Sequence, residues 1–379
     1  MSKTIYGSLI ARLFLVLALS CNGAETAAKF LGANSCASSS CHGGGEAKQD
    51  QFLVWSLKDF HSQRPPATLA TARSKQIADA LAIKDPTTDA RCTVCHAPLN
   101  SVPEDLRGDN FKVSEGVSCE SCHGPAENWI RSHTRTDYTR ADRTAAGVRD
   151  LQNLYIRANT CVACHQSVDA DLLKAGHPEL MFELDGQSVT EPKHWSAEKN
   201  GNGGQAWLVG QAVALREMSW QLSQIHGVAE MSQRRSETNL VERICALSWV
   251  LHEVTGNKEV VQLFAEDIAS IQDWADKLAR EKAEAVWSDQ TTYECLTRLA
   301  NLSPSFLDSQ IRGSIQGRRA ERLVLALDRL VAALPELKNN QPVQTALNQL
   351  FNLTQSIPDF DPKQFAGTLD KFSAAIAAH

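Results

Sequence analysis

Three Cys-x-x-Cys-His pentapeptides in the first half of the chain constrain this sequence more than any other feature. They are Cys92–His96, Cys119–His123 and Cys161–His165. The pattern is typical of covalently attached c-type haem, in which each Cys sulfur binds one vinyl group and the adjacent His reaches the iron. A zinc site made from Cys pairs is the main alternative, but zinc does not require a His directly after the second Cys each time. The repeated pattern therefore favours haem.

A looser fourth motif precedes the other three, with four residues between its two Cys. It reads Cys36-Ala-Ser-Ser-Ser-Cys41-His42. The small inserted residues can bulge outward, and the glycines at 43–45 let the backbone come close to a flat ring. A disulfide between Cys36 and Cys41 is the alternative. We interpret the motif as a further haem site because its His follows the second Cys directly.

The second axial position of each iron decides what such a protein can do. A second His closes the iron to substrates, whereas an open position can bind a small molecule. Four further His precede residue 196, namely His61, His133, His177 and His194. Their number equals the number of motifs, so we predict them as distal ligands. Met181 is an alternative ligand, although its apolar neighbours favour a packing role.

The sequence thus predicts about four haem c groups and sixteen residues that bind them. The attachment points are Cys36, Cys41, Cys92, Cys95, Cys119, Cys122, Cys161 and Cys164. The proximal iron ligands are His42, His96, His123 and His165, and the distal candidates are His61, His133, His177 and His194. No catalytic acid, base or nucleophile is predicted.

Residues 1–23 have the pattern of an export signal. Lys3 and Arg12 are their only charged residues, and the apolar run at 13–19 is too short to span a membrane. Small residues that permit cleavage follow. Cleavage predicts a periplasmic or secreted protein, which agrees with haem attachment outside the cytoplasm. Lipid attachment at Cys21 is the less favoured alternative, because the residues before it fit the lipoprotein pattern poorly.

The chain is acidic, with a formal net charge of −6. This charge argues against nucleic acid and against an anionic membrane as main partners. It suits docking to basic redox partner proteins. No other stretch of the chain is apolar and long enough to span a membrane.

The pattern of apolar residues divides the chain into two domains and predicts a mainly α fold. Residues 24–195 read as a loop-rich tetrahaem domain, and residues 206–379 have the three-four apolar spacing of an all-helical bundle of about seven helices. A polar, Gly-rich linker is expected at 196–205. Within the first domain, short helices are expected at 50–61, 69–83, 126–133 and 151–164.

Two Cys remain outside the motifs and the export signal, Cys245 and Cys295. In an oxidising compartment they can form a disulfide. The alternative is a pair of buried thiols on separate helices. The sequence does not decide between the two, since it does not show whether these residues meet.

The haem-motif half of the chain resembles the cytochrome c-554 family of tetrahaem cytochromes, over roughly residues 30–195. The matching features are Cys36–His42 followed by Trp55 and His61, Cys92–His96, the stretch Glu115–Pro125, His133 and Cys161–His165. The stretch Gly-Val-x-Cys-Glu-Ser-Cys-His-Gly-Pro is the most specific of them. The chain departs from the family in its wider first motif and in its large helical half.

The resemblance implies that distal ligands cross between motifs. It places His133 opposite His42, His61 opposite His123, and His177 opposite His165. The haem on His96 is five-coordinate in the best-known type of the family, and His194 can fill or leave that site here.

We therefore expect a periplasmic tetrahaem cytochrome that transfers electrons between redox partners. The alternative is a multihaem oxidoreductase that acts on a small nitrogen or sulfur compound at an open haem on His96. The helical half can in addition dock the protein onto a membrane or a larger complex, an expectation that rests only on its presence.

Overall fold

The computed structural model describes residues 27–46, 49–195, 202–225, 231–256, 268–311, 313–355, 357 and 359–378. Within these ranges the regular secondary structure is helical, apart from an isolated bridge between Phe30 and Arg107. This confirms the predicted mainly α fold. The predicted export signal, with Cys21, lies outside the described residues. So does most of the predicted linker.

The haem-motif half consists of short helices joined by loops. Its α-helices are α1 (Gln51–Lys58), α2 (Phe60–Leu69), α3 (Ala72–Ala80), α4 (Ala90–His96), α5 (Cys119–His123), α6 (Arg140–Ala145), α7 (Leu154–His165), α8 (Ala170–Lys174) and α9 (Leu184–Thr190). Single 3₁₀ turns lie at Ala33–Cys36, Pro98–Ser101, Glu104–Leu106, Val113–Glu115 and Ser132–Thr134.

These bounds correct two of the expected helices. The segment expected at 50–61 is interrupted at Asp59, whose backbone is extended and whose carboxylate accepts a hydrogen bond from the His61 backbone N–H at 2.9 Å. Asp59 thereby ends α1 and caps α2. The helix expected at 126–133 is instead a series of turns that closes with one 3₁₀ turn.

Helix α2 contains two prolines, Pro65 and Pro66, and the first of them frees a carbonyl that connects the helix to the third motif. Pro65 has no backbone N–H, so the carbonyl of His61, four residues earlier, has no helical partner. That carbonyl accepts a hydrogen bond from the Val117 N–H at 3.0 Å. The Trp55 indole donates to the Val117 carbonyl, also at 3.0 Å. Helices α1 and α2 therefore hold the backbone that leads into Cys119.

The second half is a bundle of longer helices. They are α10 (Gly203–Ile225), α11 (Met231–Thr255), α12 (Ile268–Glu284), α13 (Asp289–Ala300), α14 (Gly313–Ala332), α15 (Pro335–Lys338), α16 (Gln341–Leu353) and α17 (Pro362–Ala377). A 3₁₀ turn lies at Ser303–Phe306. Helix α10 begins inside the segment expected to be a linker, because Asn202 accepts a hydrogen bond from the Gly204 N–H and caps it.

One hydrophobic core runs through the bundle and continues into the haem-motif half. It includes Leu154, Ala158 and Val162 on one face of α7, together with Phe182 and Leu184 just before and at the start of α9. Helix α7 carries the fourth haem motif, Cys161–His165, at its end. The bundle is thus packed directly against a motif helix. None of the helices in the described ranges combines the length and the apolar character that crossing a membrane requires.

Cys245 and Cys295 lie on different bundle helices, α11 and α13. Both are free thiols, and burial raises the pKa of each. Cys295 is buried and Cys245 is half-buried, so the structure has separate thiols on two helices rather than a disulfide. Cys36 and Cys41 of the first motif are likewise not joined in a disulfide.

Candidate functional site

All sixteen predicted haem-binding residues line one large cavity in the first half of the chain. The cavity volume is about 1810 Å³. A pocket for a single drug-sized ligand measures about 300–1,000 Å³. The cavity is therefore large enough for several flat cofactors, and its lining contains the attachment residues of every motif.

Short helices present the three tight motifs. Each of α4, α5 and α7 ends at the His of its motif. In a helix, residues three apart lie on one face, so the two Cys of each motif point the same way. Asp89 starts α4 by accepting from the Arg91 N–H at 3.0 Å, and Asn153 starts α7 in the same manner. The first motif follows the 3₁₀ turn Ala33–Cys36 and continues through turns to His42.

Two buried carboxylates hold the first motif against the third. Glu120, inside the third motif, accepts from the backbone N–H groups of Leu31 and Gly32 at 2.9 and 2.7 Å. Glu115 accepts from the Ala33 N–H at 3.0 Å, and burial raises its pKa. Both acids lie in the stretch Glu115–Pro125 that carries the family resemblance, but the sequence assigns them no role. Their role is to position the chain that leads into Cys36.

Gly32 makes this contact possible. Its φ of +84° lies in the left-handed region, and a Cβ atom built on it would be 2.2 Å from the Asn110 carbonyl oxygen. Only glycine fits both demands.

The thiols of different motifs interact in pairs. The interaction of Cys36 in the first motif with Cys119 in the third lowers the pKa of the Cys36 thiol and raises that of Cys119. Cys95 of the second motif and Cys164 of the fourth affect each other in the same way. The haem-attaching Cys residues of the first motif therefore lie next to those of the third motif. In the same way, those of the second motif lie next to those of the fourth.

Three pairs of imidazole rings lie next to each other in the cavity with similar separations; the first pair is stacked, and the other two meet edge-on at 86° and 75°. The ring centroids are 6.1 Å apart for His42 and His133, 6.0 Å for His61 and His165, and 6.4 Å for His96 and His177. These separations are wider than a direct ring stack, for which the bundle pair His252 and Trp274 gives 4.1 Å.

The separation matches two imidazoles that share one metal ion. A metal–nitrogen bond to imidazole is about 2.0–2.1 Å for zinc. Adding about 1 Å from each nitrogen to its ring centre places the two centroids about 6 Å apart. The residues therefore fit an iron between each of the three pairs.

Hydrogen bonds orient most of these rings. The Nδ1 atoms of six predicted ligands lie 2.8–3.3 Å from an oxygen atom. The oxygens belong to Gln51 for His42, Asp59 for His61, Pro65 for His96, Trp129 for His133, Pro178 for His177 and Pro192 for His194. An Nδ1–H that donates in this way leaves Nε2 free, which is the usual arrangement behind a metal-ligating His.

The remaining proximal residue is His123, in the third motif. Burial lowers its pKa to about 4, and the neighbouring His194 and His42 add to this effect. Burial also lowers the pKa of His96 and His165. These imidazoles are therefore neutral at pH 7, and a metal ligand must be neutral.

The family resemblance implies a different pairing for two of the distal candidates. It places His61 opposite His123 and His177 opposite His165. The structure instead brings His61 to His165 and His177 to His96. It agrees with the resemblance for His133, which faces His42.

The cavity is basic although the chain as a whole is acidic. Seven arginines line it, against four carboxylates, and no lysine is found among its described lining residues. The arginines are Arg64, Arg73, Arg91, Arg140, Arg143, Arg149 and Arg157. A planar guanidinium binds carboxylates with two parallel hydrogen bonds. Haem carries two propionates, so these side chains suit the group that the motifs predict.

The geometry is that of a site for covalently bound haem, which defines the class of c-type cytochromes. Residues 35–124 match the family described as cytochrome c554 and c-prime. The match confirms the suspected resemblance on that segment and implies haem c as the cofactor. It contains three of the four motifs and His61. Residues 125–195 lie outside this match, so their interpretation depends on the motif Cys161–His165 and on the geometry of the cavity. A search of the curated proteins and of the solved structures found no significant match.

Proposed function

We propose that this protein is an exported tetrahaem c-type cytochrome that carries electrons between redox partner proteins. The observation that carries the proposal is the set of three imidazole pairs at 6.0–6.4 Å in a cavity lined by all eight motif Cys. Bound haem supplies an iron that changes charge by one electron. The chain supplies its attachment, its axial ligands and its exclusion of water.

The ligand set that we propose follows the ring pairs. His42 and His133 bind the first iron, His96 and His177 the second, and His165 and His61 the fourth. For the third iron we propose His123 with His194, the distal candidate that remains and one whose electrostatic effect lowers the pKa of His123.

This ligand set favours a carrier over an enzyme. The alternative function, reduction or oxidation of a small nitrogen or sulfur compound, needs an open iron on His96. The ring of His177 lies 6.4 Å from that of His96 and its Nδ1 is 2.8 Å from the Pro178 carbonyl oxygen. Both facts support a closed second haem.

The compartment and the partners are part of the proposal. Residues 1–23 are expected to direct export, and c-type haem is attached outside the cytoplasm. The net charge of −6 favours proteins with a basic docking face rather than nucleic acid.

The test combines mass spectrometry, which counts covalent haems, with low-temperature EPR of the oxidised protein and carbon monoxide addition to the reduced protein. We expect four haems, all low-spin, and no carbon monoxide shift. One high-spin haem that takes carbon monoxide would contradict the closed site on His96 and favour the oxidoreductase.

The variant His177→Ala sharpens this test. It should keep every covalent haem but convert one of them to a form that binds carbon monoxide, because the second iron loses a ligand. The bundle variant His252→Ala removes a His from outside the cavity and should leave the haem spectrum unchanged. An unchanged spectrum in His177→Ala would remove that residue from the ligand set.

A further inference from the structure

The segment between His177 and His194 is inserted into the helical bundle. We name residues 177–194 the distal segment, since both of its ends are distal ligands in the proposed function. In its middle, Phe182 and Leu184 are fully buried and belong to the bundle core. Helix α10 carries Gly210 at the contact, and a Cβ atom there would lie 2.7 Å from the Leu184 Cβ. Helix α10 therefore approaches this segment too closely for a residue larger than glycine at position 210.

Polar side chains of bundle helices α10 and α14 also contact the middle of the distal segment. Gln211 on α10 donates to the Phe182 carbonyl at 3.0 Å. Arg329 on α14 donates to the Glu183 carboxylate at 2.8 Å. Both contacts are therefore made at or next to the buried residues Phe182 and Leu184.

Arg243 on α11 makes the contacts nearest to His177. Its guanidinium pairs with the Glu179 carboxylate and donates to the Leu180 carbonyl at 3.5 Å. Arg243 itself is only 8 % exposed. Burying a guanidinium is costly unless it is paired and hydrogen-bonded. Here the burial is compensated by contacts to residues two and three positions beyond His177.

On the other side, His177 is fixed by short-range contacts. Its backbone N–H donates to the Leu172 carbonyl at 2.9 Å, and Gly176 before it has a φ of +104°. The Gly176 carbonyl accepts from Arg73 at 2.7 Å. The backbone at His177 is therefore held between a local turn and the bundle.

We infer that the bundle is a clamp for the distal segment, and that Arg243 is a positioning residue that keeps His177 in reach of the iron on His96. The inference rests on the proposed function, because it assumes that His177 binds that iron. It assigns residues 206–379 a role within the same molecule. Arg243 acts through the Glu179 and Leu180 contacts and does not touch the cavity itself.

The experiment compares Arg243→Gln with Arg243→Lys and a control in the full-length protein. In Arg243→Gln we expect all covalent haems to remain. The haem on His96 should bind carbon monoxide in part, or its reduction potential should shift. Arg243→Lys keeps the positive charge toward Glu179 and should restore most of the normal spectrum. Low-temperature EPR, carbon monoxide difference spectra and a potentiometric titration measure these changes.

The control is Arg298→Gln on α13. Arg298 donates to the Val254 carbonyl at 3.0 Å, so its contact stays inside the bundle. This variant should lower the thermal midpoint and leave the haem spectra unchanged. If Arg243→Gln also changes only the thermal midpoint, Arg243 is structural and the inference is overturned.

Two further measurements keep the test decisive. If Arg243→Gln does not fold, Gln211→Met removes the contact to the Phe182 carbonyl instead and should alter the same haem; a wild-type spectrum there would overturn the clamp. Failure of the proposed function shows in the unmodified protein, as a haem count below four or an open second haem. Failure of the clamp alone leaves that spectrum intact.

Discussion

Asp59 shows how a single residue sets both local structure and the properties of His61, a proposed ligand. One oxygen of its carboxylate accepts from the His61 backbone N–H at 2.9 Å and lies 3.1 Å from the His61 Nδ1 atom. The first contact begins α2. The second fixes the ring of His61 and raises its pKa, chiefly through the hydrogen bond. A carboxylate in this position makes an imidazole a stronger ligand.

Replacing this carboxylate should shift the potential of one haem. In Asp59→Asn a hydrogen bond to Nδ1 can persist, but a negative charge near the iron is lost, so the reduced state becomes relatively more stable. We expect an upward shift on the order of 60 mV, which corresponds to a tenfold change in a one-electron equilibrium. A spectroelectrochemical titration measures it. The exposed Asp137→Asn is the control, and equal titrations for the two variants would contradict a role for Asp59.

At the scale of elements, the contact between α10 and the start of α9 depends on one glycine. Gly210 is buried, and an added Cβ would lie 2.7 Å from the Leu184 Cβ and 3.2 Å from its backbone nitrogen. Inside a helix, glycine is ordinarily a weakness relative to alanine. Here it is required by the close approach of another chain segment.

Two matched substitutions separate these effects. Gly367 lies on the exposed side of α17 with no atom within 4 Å of an added Cβ. We expect Gly367→Ala to raise the free energy of unfolding by about 0.5–1 kcal/mol, and Gly210→Ala to lower it by about 1–2 kcal/mol because overpacking exceeds the helical gain. Urea unfolding followed by circular dichroism gives both values. Stabilisation by Gly210→Ala would show that α9 does not pack as described.

At the scale of the whole molecule, a polar network joins the fourth motif helix to the bundle. Asp276 on α12 accepts from the Tyr155 hydroxyl at 2.7 Å and from Arg216 at 2.6 Å. Arg216 also donates to Asn159 at 2.5 Å. The two partners on α7 lie within two turns of Cys161. Burial alone would raise the pKa of Asp276, but the hydrogen bonds from Tyr155, Arg280 and Arg216 bring it to about 2.

This pKa predicts a pH-dependent stabilisation. The carboxylate is more acidic in the folded protein, about 2 against an ordinary 3.8, so its stabilising effect is complete above pH 3.8 and is lost as the pH falls through 2. We expect Asp276→Asn to lower the free energy of unfolding by about 1.5–3 kcal/mol at pH 7. The difference should shrink between pH 4 and 2.

Denaturant unfolding of both proteins at several pH values measures this difference. The exposed Asp273→Asn on the same helix is the control and should change stability by less than about 0.5 kcal/mol. A difference that stays constant down to pH 2 would show that Asp276 does not keep its charge through the network.

The two halves of the chain show how far sequence reasoning reaches. The helical class and the long bundle helices were predictable, because apolar spacing is a local property. The break at Asp59 and the turns at 126–133 were not, because capping and packing against the cavity override the periodicity there. The role of Glu115 and Glu120 was also missed, since their partners lie more than eighty residues away in sequence.

The sequence by itself determined the haem attachment motifs and the proximal His of each. These groups are covalently adjacent along the chain, so spacing alone identifies them. Only the tertiary structure decided which distal candidate lies beside which proximal ring, as with His177 and His96, whose ring centroids are 6.4 Å apart. It also decided that the bundle holds the distal segment. Such pairings depend on how separate helices pack, and no local pattern records the distance between two residues far apart in the chain.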